Sequence, residues 1–195
     1  MTMATAMHKP EFEYEVSGAG PPVLFLSGLG APAAHWADQR RALGSRYRII
    51  TFDDRGTGDG HLPDQPGDRL SQIAGEAVAL LDHLGIERAH LVGASVGGLI
   101  VQEMALRHPD RVRSLTLAST WAHAGPIGGI THPVLVLAGE EDTVIPPHVG
   151  RALARALPNA RFEQLPGGPG FIAERGDRFS ETLLGFLGWL GAASA

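Results

Sequence analysis

The sequence predicts an α/β fold in which helices cover both faces of a single doubly wound, mostly parallel sheet. Short continuous runs rich in Val, Ile and Leu alternate with longer stretches of helical period. Those runs are apolar at successive positions rather than at every second one, as strands covered on both sides must be. The 26 glycines and 14 prolines fall between the runs as punctuation instead of collecting in one tract. With 44% hydrophobic and 19% charged residues, the 195-residue chain is too apolar for disorder and too polar for a membrane protein. A chain of this length buries roughly 70% of the surface it exposes when unfolded, core enough without covalent staples.

Met1–Lys9 has neither an apolar run nor an early positive cluster, so residues 1–10 read as a loose tail rather than a signal peptide, and cytoplasm is the expected location. Phe12–Val16 alternates with Glu and reads as an edge strand. Inner strands are expected at Val23–Ser27, Tyr47–Phe52, Ala89–Val92, Val112–Ala118, Val134–Ala138 and Ala160–Leu165. Helices are expected at Ala33–Leu43, Leu70–Leu84, Val96–Arg107, His148–Leu157 and Phe179–Leu190. In the second of these, Leu70, Ile73, Ala77, Leu80, Leu81 and Leu84 form one stripe and Gly85 follows as a C-cap. The connection Ser119–Pro133 carries Gly125-Pro126 and Gly128-Gly129 without helical period, so this crossover lacks a proper helix. No repeat or linker divides the chain, and 1–195 reads as one domain.

Sixteen Lys and Arg against 21 Asp and Glu leave a net charge of −5 with no basic stripe, so nucleic acid is not an expected partner. The absence of cysteine removes disulfides, thiolate nucleophiles and iron–sulfur clusters together. No stretch approaches 18 uncharged apolar residues, so no membrane span is expected. No metal or cofactor motif stands out.

Chemistry concentrates at two glycine-rich turns. Gly93-Ala94-Ser95-Val96-Gly97-Gly98 lies directly between the strand Ala89–Val92 and the helix Val96–Arg107. A strand-to-helix turn this sharp strains the central serine and leaves no room for flanking side chains, which is why it needs glycine. It would present Ser95 at the sheet edge beside a helix N-terminus that favours a developing oxyanion. The plainer alternative is a small-residue turn that packs helix on strand. Leu26-Ser27-Gly28-Leu29-Gly30, at the end of an earlier strand, fits an oxyanion loop whose Leu29 amide acts with that of Val96. As Gly28-x-Gly30-x-x-Ala33, with Asp53 following the next strand, it also fits a dinucleotide fingerprint. That reading ranks lower, because Pro32 sits where a helix should open and a dinucleotide site gives no reason for the turn around Ser95.

With Ser27-Gly28-Leu29-Gly30, Asp54-Arg55-Gly56-Thr57-Gly58, the Ser95 turn, His108-Pro109-Asp110-Arg111-Val112 and Pro133–Asp142 with Pro146 in this order, the chain resembles the α/β-hydrolase fold superfamily, in its branch of small esterases, lactonases and thioesterases. The resemblance covers almost the whole chain. It implies that Asp142 takes the place of a triad acid, against the plainer role of closing a turn, and that the Asp54-Arg55-Gly56 loop shapes the pocket floor. It also exposes three departures. The catalytic histidine of the family falls in the loop Leu165–Phe171, where this chain has Pro169, and proline accepts no proton. The histidine usual before the first oxyanion glycine is Ser27. The helical cap usual after the strand ending at Ala118 is reduced to the short connection 119–133, which leaves the site open to water.

On the same sheet edge lie His35, His61, His123 and His148. His123 is the first candidate for a substitute base, because the shortened connection could fold over Ser95; His148, just beyond Asp142, is the second. Trp36, Trp121, Ile145 and Phe171, together with Leu29, Ala31 and Val96, are the expected lining of an apolar pocket. The reading that follows is an enzyme acting on a small apolar carbonyl substrate (ester, lactone or thioester) with Ser95 as nucleophile and no cofactor. Its alternatives are a non-hydrolytic cyclase- or isomerase-like enzyme using the same pocket, or an inactive binding protein. Apolar surface left by the missing cap would suit a homodimer.

Overall fold

The computed structural model describes residues 13–52 and 69–193; the N-terminal tail, Asp53, the Asp54–Gly58 motif and His61 lie outside the described residues. In chain order the elements are β1 (Tyr14–Ser17), β2 (Pro22–Leu26), α1 (Ala37–Leu43), β3 (Arg48–Phe52), α2 (Arg69–His83), β4 (Ala89–Ala94), α3 (Val96–Arg107), β5 (Val112–Ala118), β6 (Val134–Gly139), α4 (Pro147–Ala156), β7 (Ala160–Leu165), α5 (Phe171–Glu174) and α6 (Gly176–Ala193). They form one seven-stranded sheet in the order β1-β3-β2-β4-β5-β6-β7, with only the edge strand β1 antiparallel. Among the described residues every expected element is present; Phe12, where the edge strand is expected to begin, lies outside them. The first helix differs in form: it opens as a 3-10 turn over Ala33–Trp36, after an extended Pro32, before α1 begins. Among the described residues no helix is long and apolar enough to cross a membrane.

Two cores follow from the two faces. One joins the sheet to α2, α3 and α4 through Ile73, Leu80, Leu81, Ile100, Met104 and Leu153. The other joins it to the 3-10 turn, α1, α5 and α6 through Trp36, Leu43, Phe171, Phe179 and Leu183. The α2 stripe ends as its sequence indicates. Gly85 adopts φ +66°, its amide donates to the Asp82 carbonyl, and the Ile86 amide reaches back to Leu81, which satisfies the last carbonyls of the helix.

Among the described residues His90, on β4, is the one buried histidine of the sheet, with Nδ1 2.8 Å from Ser114 Oγ. Burial first, and then the charge of Arg113, push its pKa down from 6.5 to about 4. The folded protein therefore binds fewer protons here than the unfolded chain between those values. The resulting stability is complete above pH 6.5 and is lost as pH falls through about 4, a difference of about 3 kcal/mol. Urea unfolding at pH 7 and pH 4.5 checks this. The loss of stability between the two should be smaller in His90→Asn than in wild type by about 2 kcal/mol, and equal losses would contradict it.

Candidate active site

The strand order reverses between β2 and β4: the chain leaves β2 through α1 to β3 on one side, and reaches β4 from β3 through α2 on the other. The loops at their carboxyl ends diverge there and open a crevice, the usual place for a ligand in such a sheet. Ser95 stands at this point, between β4 and α3, with φ +52° and ψ −119°. A side chain rarely adopts this conformation, and the surroundings hold it there. The Ser95 amide donates to the Ala118 carbonyl at 2.9 Å, and its own carbonyl accepts from Gly98 N–H at 2.9 Å and from the buried Thr120 hydroxyl at 2.7 Å. The flanking glycines are required sterically: a Cβ on Gly93 would lie 2.4 Å from the Gly97 carbonyl oxygen, and one on Gly97 2.3 Å from that of Leu26. Val96 opens α3, so its amide has no acceptor one turn back in the helix.

Facing Ser95 is the loop after β2. A Cβ on Gly28 would sit 3.3 Å from Ser95 Cβ and 3.9 Å from its Oγ, so this loop touches the serine. The Ala31 amide closes the turn onto the Gly28 carbonyl, Gly30 takes φ +69°, and the side chain of Leu29 is thrown out to 71% exposure. Trp36 fixes the loop from beneath, donating from Nε1 to Ser27 Oγ at 3.0 Å and packing on Phe25 and Phe179. A mostly apolar cavity of about 250 Å³ lies beside the serine, lined by Ser27, Gly28, Ala31, His35, Trp36 and Ala94 on one side and by Pro169, Gly170, Ile172 and Ala173 on the other.

Asp142 is buried in the turn after β6. Its Oδ1 accepts the amides of Val144 and Ile145, and its Oδ2 accepts the hydroxyl of Ser119, a residue itself held at φ +41°. The loop bearing Pro169 is laced to this turn, since Glu140 N–H donates to Leu165 and Glu141 N–H to Gly167. Position 169 thus lies on a loop joined to the Asp142 turn while lining the cavity that Gly28 and Ala94 also line.

The alpha/beta hydrolase fold family model matches residues 21–127, which run from β2 through α3 and β5. The chain belongs to this family. RutD of Azorhizobium caulinodans, a provisionally named carbamate hydrolase, is 28% identical over 90% of this chain and 94% of its own; RutD of Caulobacter segnis is 30% identical over 89% and 95%. The crystal structure of an enol-lactonase from Burkholderia xenovorans superposes with a TM-score of 0.83 at 25% identity, over 90% of this chain and 96% of that one. The alignment with the Azorhizobium protein has 250 positions, whereas 90% of 195 residues is about 176, so some 70 positions of alignment have no residue here.

Within this family's fold, the β5–β6 connection runs away from the site instead of over it. Successive residues step down α3: Thr120 bonds Ser95, the Trp121 carbonyl accepts from Gln102, the His123 amide donates to Gln102, and His132 reaches Pro109. His123 is thereby carried some eight residues along α3, about 12 Å in helical rise. Its Nδ1 accepts the Gly125 amide at 2.9 Å, which places the ring proton of the neutral form on Nε2, 3.1 Å from Glu103 Oε2. No lone pair is left to take a proton from Ser95 in this arrangement, contrary to the expectation that this segment folds over the serine. Burial pushes the Glu103 carboxyl up, but hydrogen bonds from Ser71 and Arg107 and the charges of Arg107 and His123 outweigh it and hold the group below the usual range.

His148 is exposed at the start of α4 and does not line the cavity. Of the expected pocket residues, Ala31 and Trp36 line it. Phe171 is fully buried in the second core against Phe179, and its neighbours Ile172 and Ala173 face the cavity instead. Trp121 and Ile145 lie outside this lining. Sequence reasoning missed Ser119, Thr120 and Gln102, whose bonds hold Asp142, Ser95 and the connection in place. Their one signal was small or amide polar residues set among apolar runs.

Proposed function

We propose that this protein hydrolyses small apolar carbonyl compounds of the ester, lactone, thioester or carbamate type, with Ser95 as nucleophile and the amides of Leu29 and Val96 holding the oxyanion. The observation that carries the reading is Ser95 itself. Its +52° φ is maintained by glycines that admit no Cβ and by a buried threonine, a strain with no structural use if the hydroxyl does nothing. The names of the relatives supply the substrate range, since a carbamate and an enol-lactone both present a carbonyl to attack. The cavity of about 250 Å³ suits a small acyl group. Attack joins Ser95 Oγ to the carbonyl carbon, negative charge collects on the carbonyl oxygen between the two amides, and collapse expels the leaving group.

Intact-mass detection of a fluorophosphonate adduct tests this reading. One adduct per chain is expected in wild type and none in Ser95→Ala. A second reading, an enzyme that positions and polarises its substrate without hydrolysing it, is favoured by Pro169 and by the already occupied oxygens of Asp142. It predicts no adduct in folded wild-type protein.

A further inference from the structure

Resting on the hydrolase reading above, we propose that His35 is the general base that this site uses in place of a histidine at position 169, taking the Ser95 proton through an intervening water. Among the described residues His35 is the only ionisable side chain lining the cavity beside Ser95; the other walls are Ser27, Gly28, Trp36, Pro169 and small or apolar residues. It sits one residue before Trp36, whose ring is locked by Ser27, Phe25 and Phe179, so the turn that carries it is rigid. Its amide is held by the Pro32 carbonyl at 3.0 Å, while among the described residues its ring makes no hydrogen bond and keeps a lone pair for chemistry. Two lining residues, Gly28 and Ala94, adjoin Ser95, and the cavity's volume of about 250 Å³ holds several waters at roughly 30 Å³ each. His123, by contrast, has both nitrogens engaged.

The steps balance. As Oγ bonds to the carbonyl carbon, the carbonyl π pair moves onto oxygen and the serine proton passes by way of the water to His35. Collapse breaks the bond to the leaving group, which departs with the proton from His35. In the second half a water adds to the acyl carbon, His35 receives its proton and returns it to Oγ as the acid is released. The charged groups around the turn are already committed: Asp38 pairs with Arg41, Arg40 with Glu15, and Glu174 accepts the Gly168 amide.

The test is p-nitrophenyl acetate hydrolysis by the full chain across pH 5 to 9. Wild type should show one ascending limb. His35→Gln, a change at an exposed position, should lower kcat by about 10²- to 10⁴-fold with KM and melting temperature unchanged, and should flatten the limb. His35→Ala should regain rate when imidazole is added, which a merely structural role would not allow. Unchanged kcat and the same limb in His35→Gln would overturn the assignment and leave the hydrolase reading standing. No ester hydrolysis by wild type would overturn both.

Discussion

Replacing Pro169 with histidine in the His35→Gln variant is expected to raise turnover of a small activated ester by about 10²- to 10⁴-fold, the contribution that a positioned base makes. The loop bearing residue 169 is joined by two backbone hydrogen bonds to the turn that holds Asp142, and residue 169 lines the same cavity as Gly28 and Ala94 beside Ser95. On the proposed mechanism a histidine there would have Ser95 and Asp142 as its partners. The gain should stop short of the roughly 10⁶ that losing a triad histidine costs in subtilisin, because Ser119 already donates to Asp142 Oδ2 and would share that oxygen with the ring. In wild type, where His35 already serves as base, the same substitution should raise the rate less. Turnover that stays at the His35→Gln level in a folded His35→Gln, Pro169→His protein would show that position 169 does not address the serine.

The second large effect concerns stability. Gly97→Ala is expected to destabilise the protein by about 3 kcal/mol or more, read as a fall in melting temperature of roughly 6 to 12 °C. The added Cβ would lie 2.3 Å from the Leu26 carbonyl oxygen and 2.6 Å from that of Ser27. Both are main-chain atoms, one at the end of β2, which pairs with β3 and β4, and one in its loop, so α3 must retreat. That movement separates Val96 from the Leu29 loop, and fluorophosphonate labelling should fall with stability. Gly75→Ala, at a position where a Cβ meets nothing within 4 Å, is the matched control and should be neutral or slightly stabilising. A Gly97→Ala protein melting within 2 °C of wild type would refute the close approach.

The sheet was legible because its order is written locally. A strand buried on both faces must be largely apolar; β2 and β6 are so throughout, and His90 is the one polar side chain of β4. The turn around Ser95 was legible for the same reason: Gly93 and Gly97 answer to backbone within a few residues or on the adjacent strand, and only Gly98 answers to a distant side chain, that of Thr120. What the sequence concealed depends on pairs distant in the chain. The Ser119–Asp142 bond spans 23 residues and the His123–Glu103 contact twenty, and neither is implied by any local period. His123 looked well placed because a short connection after a strand end can arch; whether it arches or descends was decided by Gln102, a fully buried amide with no pattern around it. Phe171 was misplaced for a smaller reason. A single turn of helix rotates each successive residue by about 100°, so the aromatic and its neighbour Ile172 face the core and the cavity respectively, and a glycine-rich approach does not reveal the phase.

The descent of residues 119–133 along α3 also bears on how the chain finds its fold. Joining β5 to β6 closes a loop of fifteen residues, and each doubling of such a loop costs about 0.6 kcal/mol in chain entropy. Two doublings, to a connection of several tens of residues, would cost about 1.2 kcal/mol before any strand contact repaid it. The direct path therefore makes α3, β5 and β6 a block of near neighbours in sequence, able to assemble early and to present β6 as a template on which β7 and the turn of Asp142 then settle.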